Sequence, residues 1–381
     1  MKAYIGATVI TGTGETIKAG QVFISEGKVV DVGQDLHIPS SAEVIDLQGM
    51  YITPGLIDVH THLGVYEEGI AQAGHDFNET TAAATPHVRA IDAINPFDQG
   101  FEDARMAGVT TVQIMPGSAN VIGGEMSIIK TKGTVVDEMI VKSPSGMKAA
   151  FGENPKRVHG DKGREPLTRM GIAAVFRSQL MKAQDYMKEQ EEGSLKRRDL
   201  GMEQLTKVLR REIPFRIHAH RADDIVTILR LLKEFNVEAT IEHCTEGHLI
   251  ADYLAKHNLR VSVGPTMTSR TKIELRDKGW HTLQELDKHN IPFSITTDHP
   301  VVTIDHLLTS AATAVKHGLS EELAFQSITL TAAKHLGIEE QVGSIEPGKD
   351  ADFVIWSKHP FDVHAHVVQT YINGKIVYEE E

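Results

Sequence analysis

Cysteine occurs once in the 381 residues, as Cys244, which rules out an intrachain disulfide framework and fits a reducing, cytoplasmic setting. Long apolar runs are missing as well. No stretch approaches the roughly 18 residues of a membrane helix, and the N-terminal MKAYIGATVITGTGE lacks the continuous apolar core of a secretory signal. The expectation is a cytoplasmic protein with no membrane partner. Positive charge is in deficit, with 39 Lys and Arg against 52 Asp and Glu and a formal net charge of -13. Nucleic acid is therefore not an expected partner, because phosphate-backbone affinity comes from clustered Lys and Arg. Internal repeats and low-complexity tracts are also lacking, and a small-molecule substrate is the partner left to expect.

Hydrophobic residues make up 41% and charged residues 24%, the balance of an ordinary globular chain. The length suits one (β/α)8 barrel of about 250 residues plus a smaller module. Residues 1–53 alternate short β-branched runs with Gly-containing turns, and residues 345–381 repeat that style, with Asn373-Gly374 as a hairpin signal. These two ends predict one composite β-sandwich. Residues 54–344 alternate apolar strand-like runs with amphipathic stretches, the signature of βα units around a parallel sheet. Barrel strands are predicted near 56–60, 109–115, 138–142, 214–218, 238–243, 260–264 and 293–297, with an eighth near 145–153 or 171–176. Helices are predicted over 222–235 and 321–336. Residues 64–100 and 154–205 exceed the needs of a minimal barrel and read as binding loops or lids, the second with a solvated helix and a mobile tip.

Chemistry concentrates where these strands stop. ITPGLIDVHTHLG ends in His60 and His62, and two side chains one residue apart on a strand share a face, so both imidazoles can reach one ion. IPFRIHAHR delivers His218 and His220, VEATIEHCTE delivers His243, and IPFSITTDHP delivers Asp298. A single such histidine is more often structural. Four strand ends presenting imidazole or carboxylate at one mouth instead form the donor set of a catalytic metal site.

This order of motifs, together with TLTAAKHLG and the tail GSIEPGKDADFVIW, resembles the amidohydrolase superfamily over essentially the whole chain, and SPSGMKAAFGENPKR resembles a branch near the imidazolonepropionase-like enzymes. The resemblance implies His60, His62, His218 and His243 as metal ligands. Asp298 is implied as a further ligand and as the catalytic base that moves a proton from the attacking water to the leaving nitrogen. His220, or less directly His299, would stabilise an oxyanion. From the middle strand the resemblance implies either a direct carboxylate or a carboxylated lysine. Glu153 in FGENPK is the expected ligand, just past an apolar run, and Lys148 in GMKAAF is the alternative. The implied cofactor is one or two divalent ions, zinc first, with iron, manganese and nickel also suited to imidazole and carboxylate. A homo-oligomer is a family-level expectation.

The function so implied is hydrolysis of a C–N bond in an amide, cyclic amide, N-acyl compound or dipeptide. Deamination of a heterocycle by the same attack is the second reading, and a non-catalytic scaffold on this fold is the third. Of the remaining motifs, Gly123-Gly124 reads first as a turn, Arg221 as a surface ion pair or a substrate-carboxylate clamp, and Cys244 as a buried bystander that strand alternation turns from the mouth.

Overall fold

The computed structural model describes residues 1–380. Its first five strands are β1 (Lys2–Ile10), β2 (Thr16–Ser25), β3 (Lys28–Gly33), β4 (Glu43–Asp46) and β5 (Tyr51–Pro54). The next eight are β6 (Leu56–Thr61), β7 (Val109–Ile114), β8 (Ile122–Lys130), β9 (Ile140–Ala150), β10 (Phe215–Ala219), β11 (Ala239–His243), β12 (Val261–Val263) and β13 (Phe293–Ile295). Three close the chain: β14 (Phe353–Trp356), β15 (Val367–Ile372) and β16 (Lys375–Glu379).

β6 to β13 lie side by side in chain order as one eight-stranded sheet, and a parallel bridge between Thr61 and His299 brings its two edges together into a nearly closed barrel. The buried carboxylate of Asp58 reinforces that seam. It accepts hydrogen bonds from Thr296 Oγ1 at 2.5 Å, Thr297 N at 3.0 Å and Thr297 Oγ1 at 2.6 Å. The barrel strands from β10 to β13 are buried along their length except at the half-buried Ala239, as a sheet covered on one face by helices and filled on the other requires.

The strand set differs from the sequence expectation in one place. Residues 138–142 and 145–153, read as separate strands, belong to the single strand β9, while 171–176 lies within the helix Arg169–Glu191. The missing strand is β8, and it runs antiparallel to both β7 and β9, so the barrel is not wholly parallel. Its glycine pair hid it. Gly124 has φ +131°, and a Cβ there would lie 2.5 Å from the carbonyl oxygen of Val88, so glycine marks a close backbone approach within a strand and not a turn.

The helix expected at 222–235 is Ala222–Phe235, whose buried Ile225, Ile228, Leu229 and Leu231 face the barrel. The stretch 321–336 is two helices, Glu321–Gln326 and Leu330–Leu336. Between residues 154 and 205 the chain forms most of three helices, Glu153–Gly160, Arg169–Glu191 and Leu200–Leu209, and the long middle one buries Ile172, Phe176, Leu180 and Tyr186. The helix is therefore packed as far as Tyr186, whereas residues 188–199, the charge run read as solvated, are exposed apart from the half-buried Leu195. No helix among the described residues is long and apolar enough to cross a membrane.

The two chain ends share a second eight-stranded sheet in the order β16-β15-β14-β5-β1-β2-β3, with β4 also paired to β1. β14 joins β5 antiparallel, and a stacked and edge-on cluster of Tyr4, Phe353 and Tyr371 fills its core. The strand pairing defines one shared sheet, which is less than the sandwich expected. Asn373 and Gly374 both take positive φ between β15 and β16, as a type I′ hairpin requires.

Candidate metal centre

β6, β9, β10, β11 and the turn after β13 carry the expected donors to the barrel mouth. His60 and His62 leave β6 on the same side, and both Nε2 atoms lie 3.4 Å from Asp298 Oδ1. His218, His220 and His243 form a second knot, with ring centroids 4.4 to 4.8 Å apart. His60, His243 and Asp298 make one group of converging donor atoms and His218, His220 and His243 another, so His243 belongs to both. All six residues bury at least most of their surface, and His62, His218, His220, His243 and Asp298 line a cavity of about 580 Å³.

Hydrogen bonds on the far side of each ring decide what faces the cavity. A carbonyl or an ionised carboxylate can only accept, so Nδ1–H of His62 donates to the Met115 carbonyl at 2.8 Å and Nδ1–H of His243 to the Gly264 carbonyl at 2.7 Å. In the same way His60 Nδ1–H donates to Glu242 Oε2 at 3.1 Å. The neutral form of each ring thereby takes the tautomer with a bare Nε2 lone pair pointed inward. His243 Nε2 and both nitrogens of His218 are buried with no hydrogen-bond partner. A buried acceptor left unpaired is costly, and a cation answers the one bare nitrogen that each neutral ring presents. The donor set fits a divalent ion on that ground.

Electrostatics point the same way. Burial, with the nearby Lys148 amine second, lowers His60 to about 3. Burial and neighbouring imidazoles push His218 and His220 well below the usual histidine range, which keeps the rings neutral. Burial alone would raise Asp298, but the close His62, His243 and His60 rings outweigh it and hold its carboxyl below the usual carboxylate range.

Lys148 and Glu153 separate clearly. Lys148 on β9 is fully buried, and its Nζ lies 3.1 Å from His60 Nε2 and 3.1 Å from Met115 Sδ. Burial, only partly opposed by Asp298 and Glu242, lowers its amine to about 8. Glu153 begins the helix Glu153–Gly160, its backbone N–H donating to Glu274 Oε2 at 2.9 Å, and it joins neither donor group. His299 turns away too, with Nδ1 accepting from Ile304 N at 3.1 Å and Nε2 facing Glu68. His220 Nδ1 meets Thr245 Oγ1 at 2.8 Å. Arg221 pairs with Asp223 through both carboxylate oxygens in an exposed contact, and Cys244 is buried, its thiol pushed up to about 12 by burial.

Three carboxylates around the site were not singled out from sequence. Glu242 anchors His60 and also accepts from Ser262 Oγ and Thr240 Oγ1, each at 2.5 Å. Asp58 joins β6 to the strand end that carries Asp298, as described above. Glu274 sends Oε1 to 4.0 Å from His218 Nε2 and 3.8 Å from His220 Nε2. Glu242 and Asp58 sat beside expected donors in the motifs EH and DVH, and Glu274 carried no signal at all. Two of the mouth residues are strained: His243 and Asp298 take φ of 75° and 54°, which bends both chains out of strand alternation at the point where the side chains must turn inward.

Known proteins resemble this arrangement. The sequence pattern of the Amidohydrolase family matches residues 51–377. An amidohydrolase from Thermotoga maritima MSB8, known from its crystal structure, superposes with a TM-score of 0.97 at 45% identity over 100% of both chains. Amidohydrolase tasK of Hapsidospora irregularis is 27% identical over 97% of this chain, which spans 41% of that relative's length. The imidazolonepropionase of Colwellia psychrerythraea is 25% identical over 90% of this chain and 86% of its own. The chain belongs to the amidohydrolase family.

Proposed function

We propose that this protein is a metal-dependent hydrolase that cleaves a C–N bond in a small amide, cyclic amide, N-acyl compound or dipeptide. The observation that carries the reading is the set of inward Nε2 lone pairs of His60, His62 and His243, each fixed by an Nδ1–H bond behind it, around the ionised Asp298. A divalent ion bound there supplies Lewis acidity toward a carbonyl and acidifies water near neutral pH. The names and structures of the relatives support the same class of bond.

The chain's own groups then have assignable tasks. Asp298, held ionised between His60 and His62, accepts the proton of the attacking water and returns it to the leaving nitrogen. We assign the Thr245 hydroxyl, 2.8 Å from His220 Nδ1, as the donor of that bond, which puts the ring proton on Nε2 to donate to the oxygen that gains charge. We assign the middle-strand ligand to Lys148 instead of Glu153. The deprotonated form of its amine, favoured by burial, adds to carbon dioxide, forming a carbamate and releasing a proton, and the resulting anion suits a site where two donor groups share His243. The cavity of about 580 Å³ is of the size that holds a small molecule.

The deciding experiment is metal analysis and hydrolysis of a panel of N-acyl amino acids, cyclic amides and dipeptides by the wild type and His60→Ala. Metal and hydrolysis should fall together in the variant. Undiminished metal content in His60→Ala would overturn the assignment.

A further inference from the structure

Beside the barrel mouth, the turn Gly247–Ile250 and the start of the helix His281–Lys288 bring a second donor cluster together. His248 Nε2 lies 3.0 Å from Asp277 Oδ2 and 3.3 Å from His281 Nε2, with the two rings nearly perpendicular at 84°. Neighbouring ligands on a tetrahedral zinc with Zn–N of about 2.1 Å stand about 3.4 Å apart, so His248 Nε2 lies near one coordination edge from each of the other two atoms.

The hydrogen-bond chain behind His248 sharpens this. The Thr282 hydroxyl donates to the Thr245 carbonyl at 3.0 Å, so toward His248 Nδ1, 3.1 Å away, it can only accept. Nδ1 therefore carries a proton, and in the neutral ring Nε2 is a bare lone pair. That lone pair faces a carboxylate oxygen and a third acceptor-capable nitrogen. A single proton on Nε2 satisfies Asp277 or His281 but not both, whereas one cation satisfies all three. The hydroxyl behind Nδ1 is the orienting partner that metal-bound imidazoles usually have.

A separate observation concerns Gly279. A Cβ at that position would lie 2.5 Å from His281 Nδ1, so glycine is what lets the His281 ring lie over the backbone and aim Nε2 at His248. Gly279 is followed by Trp280 and needs no positive φ, so its backbone conformation does not explain the residue.

We propose that His248, Asp277 and His281 form an accessory site for a borderline divalent cation such as zinc, with its remaining position open to solvent. The site pins the segment that supplies Thr268, Lys272, Lys278 and Thr282 to the wall of the catalytic cavity. Through Thr282 and Thr245 it also connects to His220 Nδ1. It is independent of whether the barrel mouth holds metal.

The test is zinc content after equilibrium dialysis against micromolar free zinc, for the wild type and for His281→Gln, Asp277→Asn and His60→Ala. The first two variants alter exposed or half-exposed residues at the rim. Each should hold about one zinc fewer per chain than the wild type. His60→Ala should keep the accessory equivalent and lose metal only at the mouth. Added zinc should raise the thermal midpoint of the wild type further than that of His281→Gln or Asp277→Asn. Equal zinc content and equal midpoint shifts in the wild type and both rim variants would overturn the site, leaving an imidazolium–carboxylate pair, whatever His60→Ala shows.

Discussion

Glu242 Oε2 sits 3.1 Å behind His60 Nδ1, and the bond between them fixes which nitrogen of His60 faces Asp298. The same carboxylate accepts from Ser262, Thr240 and His335, so it is held ionised despite complete burial. Burial would raise it, but the close His335 and His60 rings and the hydrogen bonds they make outweigh it. Glu242→Gln keeps the size and loses the charge, and its amide can present N–H to His60 in place of an acceptor. We expect metal affinity to fall about 10- to 100-fold in that variant, the usual cost of losing such a partner. Competition with a fluorescent chelator measures it, and an unchanged affinity would sink this role for Glu242.

Lys148 makes a sharper claim than any histidine. Its Nζ is 3.1 Å from His60 Nε2, a contact between a buried amine and a ring nitrogen that, without an anion, leaves positive charge where ligands need to bind a cation. Conversion to a carbamate reverses the sign of that charge. Metal-free protein reconstituted with zinc should therefore regain several-fold more hydrolysis in buffer with bicarbonate than in buffer stripped of carbon dioxide. The Lys148→Ala variant should show no response to bicarbonate, and Glu153→Ala should behave as the wild type does. Reconstitution indifferent to bicarbonate in the wild type would leave the lysine as a plain amine.

The candidate donors on strand ends were legible because strand periodicity alone aims His60 and His62 the same way, and because apolar runs announce β10, β11 and β13. What the sequence concealed has physical causes. β8 contains Gly123-Gly124, which locally looks like a turn, and only the approach of Val88 gives the pair its purpose. Glu153 follows β9 closely enough to pass for its last inward side chain, yet the chain turns at Gly152, with φ +96°, and begins a helix one residue later. Glu242 is adjacent to His243, and strict alternation would send them to opposite faces. The positive φ of His243 breaks that alternation, so both serve the same site.

The seam between β6 and β13 depends on Asp58. Both carboxylate oxygens receive hydrogen bonds, Oδ1 from Thr296 Oγ1 and His60 N, and Oδ2 from Thr297 N and Oγ1. An amide in its place would set an NH2 against donors. Asp58→Asn should therefore lose about 1–3 kcal/mol of stability, the cost of leaving buried donors unanswered. Because the seam also orients His60 and the turn of Asp298, metal affinity should fall along with it. Denaturant unfolding of the metal-free protein isolates the first effect, and an unchanged midpoint would show that the seam is held by backbone pairing alone.

Lys130, on β8, ties the barrel to the sheet built from the chain ends. Its Nζ donates to Asp350 Oδ2 at 2.9 Å and to Asp352 Oδ2, while Asp350 also meets Lys28 at 2.6 Å. The two aspartates respond in opposite directions. Asp352 is fully buried, and burial raises it more than Lys130 lowers it. Asp350 is less buried, and the two lysines hold it below the usual carboxylate range against burial. Lys130→Met removes the shared cation and leaves Asp352 buried without its charge partner, which should cost about 3–5 kcal/mol at neutral pH. The sign of the pH dependence follows. Stability from Asp350 is present above the ordinary carboxylate range near pH 4 and is lost as pH falls through its lower folded-state value. Asp352, raised already and raised further without Lys130, takes up a proton in the variant at higher pH and relieves it. The gap in unfolding free energy between the wild type and Lys130→Met should thus be widest near pH 7 and narrow steadily toward pH 3. A gap that stays constant across that range would mean that the contacts at Lys130 stabilise the junction by packing and not by charge.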